Sequence, residues 1–275
     1  MPSPSCPRLE SLTGRKGDLQ LRPDIAALLA SASHVLLDVD GVLCLGDEPL
    51  VDASPLIGAM LASRSVVVTT NDSRRPPAAQ RARVSRAGVP MSVQIVTAAD
   101  AIVECLNSLG CRRVAVVGTD GLRAHLLTSG VTVVQQGTQS YDAVVVGCVP
   151  DPDVVAPTAV AELVGDRPWL VTNTDLTVPT PTGPVPDTGA VIARVEPAIG
   201  RPPQVCGKPS GWMTAATSLV AGDIQRAIVI GDGIATDLAW ARSRGWGSVL
   251  ISGAVGGADD EGADVVVASL RDCVV

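Results

Sequence analysis

The sequence predicts an α/β protein built on a parallel sheet. Three observations carry this. Short runs rich in Val, Ile and Leu alternate with stretches of helical period along most of the chain, the pattern of successive βα units. Within the runs, apolar residues are consecutive rather than alternate, as in strands buried on both faces. Three runs end in small polar or acidic residues, and open α/β sheets bind ligands at the carboxyl ends of their strands.

The strands expected in order are His34–Leu37, Ser65–Val68, Arg113–Val117, Ala143–Val146, Leu170–Thr172, Ala227–Ile230, Ser248–Ile251 and Asp264–Val267. Helical period places helices at Pro76–Ala87, Ala98–Leu109, Gly121–Ser129, Asp153–Leu163, Gly211–Val220 and Thr236–Arg244. Gly118-Thr-Asp-Gly121 reads as a strand-to-helix turn. Residues 176–204 hold seven prolines and several glycines and read as turns and loop.

A chain of 275 residues is long enough for one large α/β domain or for a core with a smaller second domain. Its net charge of −7 argues against a nucleic-acid partner or a basic membrane-surface protein. No apolar run approaches the roughly 18 residues of a membrane span, and the Pro/Ser-rich Met1–Gly17 does not read as a signal peptide. The seven cysteines are odd in number, contain no Cys-x-x-Cys and accompany only His34 and His125. A disulfide framework or a zinc site is therefore not expected. The thiols, Cys44 and Cys206 among them, read as small buried apolar residues in a reducing cytoplasm. Only two lysines, Lys16 and Lys208, occur among 21 basic residues, which singles out Gly207-Lys208-Pro209.

The chemistry gathers where the three runs stop. They are Val35-Leu36-Leu37-Asp38-Val39-Asp40-Gly41, Val66-Val67-Val68-Thr69-Thr70-Asn71-Asp72 and Ile228-Val229-Ile230-Gly231-Asp232, the last followed by Asp237. One strand ending in Asp is ordinarily a cap or turn. Three such strands in one sheet would bring Asp38, Asp40, Thr69, Asp232 and Asp237 to one edge. Asp-x-Asp-Gly lacks the later ligands of a calcium loop, and Gly-Lys-Pro lacks the spacing and the Ser/Thr of a nucleotide-binding loop. Clustered carboxylates with no His or Cys favour a hard divalent cation, Mg²⁺. The cation would let a carboxylate approach a phosphate. A carboxylate nucleophile with a second acid nearby can then divide a phosphoryl transfer into two steps.

The chain thereby resembles the haloacid dehalogenase-like (HAD) superfamily. Asp38-Val-Asp40-Gly-Val, Thr69, Lys208 and Gly231-Asp232-x4-Asp237 look like its four motifs. Thr69-x-Asn-x-Ser-Arg74, Thr172-Asn173-x-Asp175, Gly189-Ala190 and Gly207-Lys208-Pro209-Ser210 resemble its NagD or 4-nitrophenylphosphatase-type branch. The resemblance implies a Rossmann-like core over 1–109 and 203–275, with an α/β cap inserted at 110–202 that shapes the leaving-group pocket. It implies Asp38 as nucleophile and metal ligand, Asp40 as acid/base and metal ligand through its main-chain carbonyl, Asp232 as metal ligand, and Asp237 behind them. Thr69 and Lys208 would hold the phosphoryl group, with Thr70, Asn71, Arg74, Asn173 and Asp175 binding phosphate or substrate.

The implied activity is Mg²⁺-dependent hydrolysis of a small phosphorylated metabolite in the cytoplasm, with no membrane insertion and with a homodimer through the cap admitted. Similarity to the glycerol-3-phosphate phosphatases of high-GC bacteria favours glycerol 3-phosphate. Phosphoglycolate, pyridoxal phosphate and other small metabolites of the same branch stay open, and a phosphoacceptor signalling module or non-catalytic protein is a distant alternative. The chain departs from the branch at Thr70, at Asn173-Thr-Asp175, at Pro186-Asp187-Thr-Gly189 where Pro-Gly-x-Gly is frequent, and at Gly233 where Arg often follows the fourth-motif Asp.

Overall fold

The structure, a computed structural model, describes residues 20–135, 137–138, 140–253 and 262–274. The reading of Met1–Gly17 lies outside them. In chain order the first elements are α1 (Pro23–Ser31), β1 (His34–Leu37), a hairpin of β2 (Cys44–Leu45) and β3 (Glu48–Pro49), α2 (Ser54–Leu61), β4 (Ser65–Thr70), α3 (Pro77–Arg86), β5 (Gln94–Thr97) and α4 (Ala98–Leu109). Next come β6 (Arg113–Val117), α5 (Asp120–Thr128), β7 (Thr132–Val133), β8 (Ala143–Val146), α6 (Pro157–Val164), β9 (Trp169–Val171), a hairpin of β10 (Thr177–Val178) and β11 (Val185–Pro186), α7 (Thr188–Ile199) and β12 (Gln204–Val205). The chain closes with α8 (Gly211–Ala221), β13 (Ala227–Gly231), α9 (Ala239–Arg244), β14 (Gly247–Ile251) and β15 (Val265–Val267).

Two sheets result. The larger has the order β15-β14-β13-β1-β4-β5 and the smaller β12-β9-β8-β6-β7, and every pairing in both is parallel. This is the fold class the sequence predicts. Consecutive residues of β1 enter opposite cores. Val35 and Leu37 pack with Ile25 and Leu29 of α1 and Leu56, Ile57 and Met60 of α2. Leu36 packs with Ile102 and Leu106 of α4, Met213 of α8 and Trp240 of α9. Covering both faces removes the need for a polar side and explains the unbroken apolar runs. Val114, Val145 and Leu170 of the smaller sheet share that second core, so α4 lies between the sheets. Thr97 and Asp100 start α4 with a reciprocal capping box.

The expected strands all form, with ends moved by at most two residues. Residues 176–204 are corrected, because they contain α7, a twelve-residue helix. Asp187 caps its start by accepting from the Thr188 N–H, and Val191, Ile192 and Val195 bury one stripe against Val144, Val146 and Trp169. Pro197 falls in the last turn, where it forfeits one amide bond to the preceding turn, a cost that the buried apolar stripe outweighs. The helix expected from Asp153 is divided: a short turn covers Pro152–Val154, and α6 begins at Pro157. Ala156 precedes that proline and is extended, as the proline ring requires. The helix expected from Thr236 starts instead as a π-helical turn over Ile234–Leu238.

Candidate active site

β13, β1 and β4 are neighbours, and Leu37 pairs with both Ile230 and Val68. Their polar ends therefore emerge side by side. Asp38 and Asp40 leave β1, Thr69 and Thr70 end β4, and Gly231-Asp232 ends β13. Gly41, at φ +75°, makes the turn that separates the Asp-x-Asp segment from the following hairpin, and its N–H donates to the Cys44 carbonyl. A positive φ at that point favours glycine.

Lys208 reaches this edge from the smaller sheet. β12 pairs with β9, and three residues later the Lys208 ammonium donates to Asp38 Oδ1 at 2.5 Å and to Asp237 Oδ1 at 2.7 Å. It is 2% exposed. Burial pulls its pKa down, but Asp237 and Asp38 more than reverse this and leave it above the usual lysine value. Asp237 projects from the π-helical turn, its second oxygen accepting from Gly233 N and Thr236 Oγ1. A Cβ on Gly231 would lie 2.2 Å from the Asp237 carboxyl carbon, so this glycine is the space that the carboxylate occupies.

Asn71 ties the two sheets together. Its Oδ1 accepts from the Lys208 N–H at 2.8 Å, and its Nδ2 donates to Asp175 Oδ2 at 3.1 Å and to the Lys208 carbonyl at 3.3 Å. Asn173, fully buried, donates to the Asn71 carbonyl and accepts from the Asp175 N–H. It therefore braces the joint from behind. Thr70 Oγ1 donates to Asp40 Oδ2 at 3.4 Å. Thr69 Oγ1 is buried with no partner.

These groups surround a cavity of about 610 Å³ lined by Asp38, Asp40, Thr70, Asn71, Lys208, Asp232 and Asp237 on one side. The β10–β11 hairpin with Asp175 and Asp187 forms the other side. Thr69, Arg74 and Asn173, all expected to hold phosphate or substrate, do not line it: Thr69 and Asn173 are fully buried behind the wall. Arg74 is held elsewhere. Its guanidinium makes a forked pair with Asp72, at 2.8 and 3.2 Å. Arg75 also pairs with Asp72, and with Asp47. Sequence reasoning missed Arg83 of α3, which is 1% exposed and donates to Asp40 Oδ1 at 2.7 Å and to the Gly46 carbonyl at 2.6 Å. Nothing in the sequence marks it among so many arginines.

The comparisons with known proteins agree with this geometry. A family model described as haloacid dehalogenase-like hydrolase matches residues 35–132, and a related HAD-hydrolase-like model matches 205–273. Mouse chronophin is 30% identical over 265 residues, covering 90% of this chain and 89% of its own. The chain belongs to the haloacid dehalogenase-like hydrolases. The D-glycerol 3-phosphate phosphatase of Mycobacterium tuberculosis is also 30% identical, over 231 residues. That match takes in 82% of this chain and 64% of the relative, so the chain spans less than two thirds of that protein's length. The ribonucleotide monophosphatase NagD of Escherichia coli is 27% identical over 232 residues, 82% of this chain and 90% of its own. The crystal structure of a 4-nitrophenylphosphatase from Thermotoga maritima superposes with a TM-score of 0.75 at 23% identity, covering 89% of this chain and 97% of that one. The chain is thus an enzyme of the HAD type whose relatives include phosphatases, NagD among them, and it shares the fold of the 4-nitrophenylphosphatase.

The acidic donors of this hydrolase suit a divalent cation. Asp38, Asp232 and Asp237 each offer a carboxylate oxygen, all within 4.8 Å of one another, and such oxygen-only sets suit hard ions. Burial first, then repulsion from Asp237, raises Asp38 well above the usual carboxylate range despite Lys208. The same two causes push Asp232 up to about 7. One ammonium thus leaves negative charge uncompensated, which a bound cation would relieve.

Proposed function

We propose that the protein is a Mg²⁺-dependent phosphomonoesterase acting through an aspartyl phosphate on Asp38, with glycerol 3-phosphate as its substrate. The observation that carries this reading is the buried Lys208–Asp38 pair on the wall of a cavity that Asp40 also lines. A carboxylate held by a buried cation, beside a second carboxyl, is the pair a double displacement at phosphorus uses.

Asp38 attacks phosphorus through a carboxylate oxygen as the bond to the leaving oxygen breaks. Asp40 gives that oxygen its proton. Asp40 then takes a proton from a water that attacks the phosphorus of the aspartyl phosphate, releasing phosphate and restoring Asp38. Lys208, the Thr69 hydroxyl and the main-chain N–H groups of Thr70 and Asn71 hold the phosphoryl oxygens, a role that suits the unpartnered Thr69 Oγ1. Asp38, Asp232 and the Asp40 carbonyl would hold Mg²⁺, which when bound screens the charge between nucleophile and phosphate. Asp237 fixes Lys208 and the carboxylates beside it.

Residues 110–202 are the specificity cap in this reading, with the β10–β11 hairpin facing the leaving group. Glycerol 3-phosphate is supported by the M. tuberculosis relative, and the dihydroxyacetone phosphatase of Corynebacterium glutamicum, 29% identical over 230 residues, is named for another three-carbon hydroxy compound. Buried free thiols, Cys44 and Cys206 among them, suit a reducing compartment and so a cytoplasmic enzyme. Among the described residues no helix is long and apolar enough to cross a membrane. A homodimer through the cap belongs to the same proposal, and light scattering reads it. The test of the activity is phosphate release from glycerol 3-phosphate, phosphoglycolate, pyridoxal phosphate, nucleoside monophosphates and 4-nitrophenyl phosphate, each with Mg²⁺ and with EDTA, beside Asp38→Asn. Metal-independent release, or release that survives in the variant, would sink the proposal.

A further inference from the structure

The cavity has an acidic balance on its β10–β11 side, the side that the phosphatase reading sets against the leaving group. Among its described lining residues, Lys208 is the only cation, and that ammonium is engaged by Asp38 and Asp237. Arg74 and Arg75 are drawn away onto Asp72, and Arg83 onto Asp40. The cap wall instead presents two carboxylates, Asp175 and Asp187, among the apolar Val178, Pro179 and Pro184. Asp187 is 5% exposed and anchored, since its Oδ1 accepts from the Thr188 N–H at 2.7 Å and the Thr188 hydroxyl at 3.2 Å at the start of α7. It cannot swing away without uncapping that helix. It also stands where the resembled branch frequently has glycine.

We propose that Asp187, with Asp175, bars phosphate esters whose leaving group carries its own negative charge, and so restricts the enzyme to esters of uncharged hydroxy compounds. This deepens the phosphatase reading and rests on it. A leaving-group carboxylate would lose its water against a fixed like charge, and Arg74, whose charge acts on Asp187, is committed to Asp72 and does not line the cavity. An uncharged hydroxyl can instead donate a hydrogen bond to either carboxylate. Burial pushes Asp187 up to about 6, against the pull of Arg74, so it is mostly ionised in a neutral assay. At an effective dielectric of about 20, a like charge several ångströms away costs on the order of tenfold or more in kcat/KM.

The test uses two esters of nearly equal shape. 2-Hydroxyethyl phosphate and phosphoglycolate differ by a hydroxymethyl against a carboxylate. With Mg²⁺, the wild-type enzyme is expected to prefer the first by about tenfold or more in kcat/KM. Asp187→Asn keeps an oxygen to cap α7 and removes the charge, and it should narrow the ratio several-fold, mainly by improving phosphoglycolate. Asp175→Asn should move it the same way. Equal use of the two esters by the wild-type enzyme overturns the proposal without needing any variant to fold. A preference unchanged in folded Asp187→Asn, checked by its melting temperature, removes Asp187 from it. Failure to hydrolyse either ester or 4-nitrophenyl phosphate overturns the phosphatase reading as well, whereas turnover without discrimination overturns only the charge argument.

Discussion

Replacing Arg83 by Met tests whether the expected acid/base is held from behind. The guanidinium lies 2.7 Å from Asp40 and 3.6 Å from Asp72, and the Arg83 and Asp72 side chains are each 1% exposed while that of Asp40 is 15% exposed. Methionine conserves much of the volume, so packing changes little, but Asp40 loses its cationic partner and the Gly46 carbonyl its donor, while Asp72 keeps Arg74 and Arg75. Removing one partner of a buried ion pair costs about 3–5 kcal/mol, and partial exposure of Asp40 places this case near the lower figure. A chain of this size shifts its Tm by roughly 2–4 °C per kcal/mol. The expected fall is therefore about 6–12 °C by calorimetry. In an Asp40→Asn background the same change should cost at least about 1 kcal/mol less, because one of its charges is already gone. A fall below about 2 °C, or equal costs in the two backgrounds, would refute the argument that Arg83 compensates Asp40.

Asp38→Asn should lower phosphate release by at least about 1,000-fold while keeping Tm within a few degrees, since Lys208 keeps Asp237 and the amide relieves the repulsion between Asp38 and Asp237; a variant with a tenth of wild-type activity contradicts this. Asp72 sets an acid limit. Burial alone would raise its carboxyl, but Arg74 and Arg75 overcome that and hold it at about 2, below the ordinary 3.8. Its contribution is thus present above pH 3.8 and lost as pH falls through about 2. The stability gap between the wild-type enzyme and Asp72→Asn should shrink over that window, and a gap independent of pH in urea titrations argues against it. Gly121→Ala places a Cβ 2.0 Å from the Arg74 carbonyl and should cost about 1–3 kcal/mol through displacement of that loop; an unchanged urea midpoint would show that the loop gives way freely.

Much of this site was legible because its residues sit at the ends of apolar runs. Val35–Leu37, Val66–Val68 and Ile228–Ile230 show by composition that they are buried on two faces, and adjacency in one parallel sheet then forces Asp38, Thr69 and Asp232 together. Lys208 stood out because lysine is scarce in this chain. Other features depend on competition that sequence does not display. Arg74 belongs to a motif, yet Asp72 lies two residues away and takes its guanidinium. α7 was hidden by the prolines around it, since its apolar stripe gains meaning only against the Val144–Val146 face. Asp187 was visible as a departure, but only the structure shows that it lines the cavity.

The path of β12 has a consequence for transplanting parts between enzymes of this architecture. Gln204 and Val205 are edge residues of the smaller sheet, in register with Leu170 and Val171, yet they lie beyond residue 202. A foreign segment spliced in at 110–202 would have to present its own edge to the recipient's β12. A slip of one residue in that pairing moves the strand by about 3.3 Å and reverses its faces. Lys208, three positions downstream, would then be carried out of hydrogen-bonding reach of Asp38. The β12–β9 pairing is thus also the ruler that sets the ammonium, so transplanted segments should be screened first for strand register and only then for substrate fit.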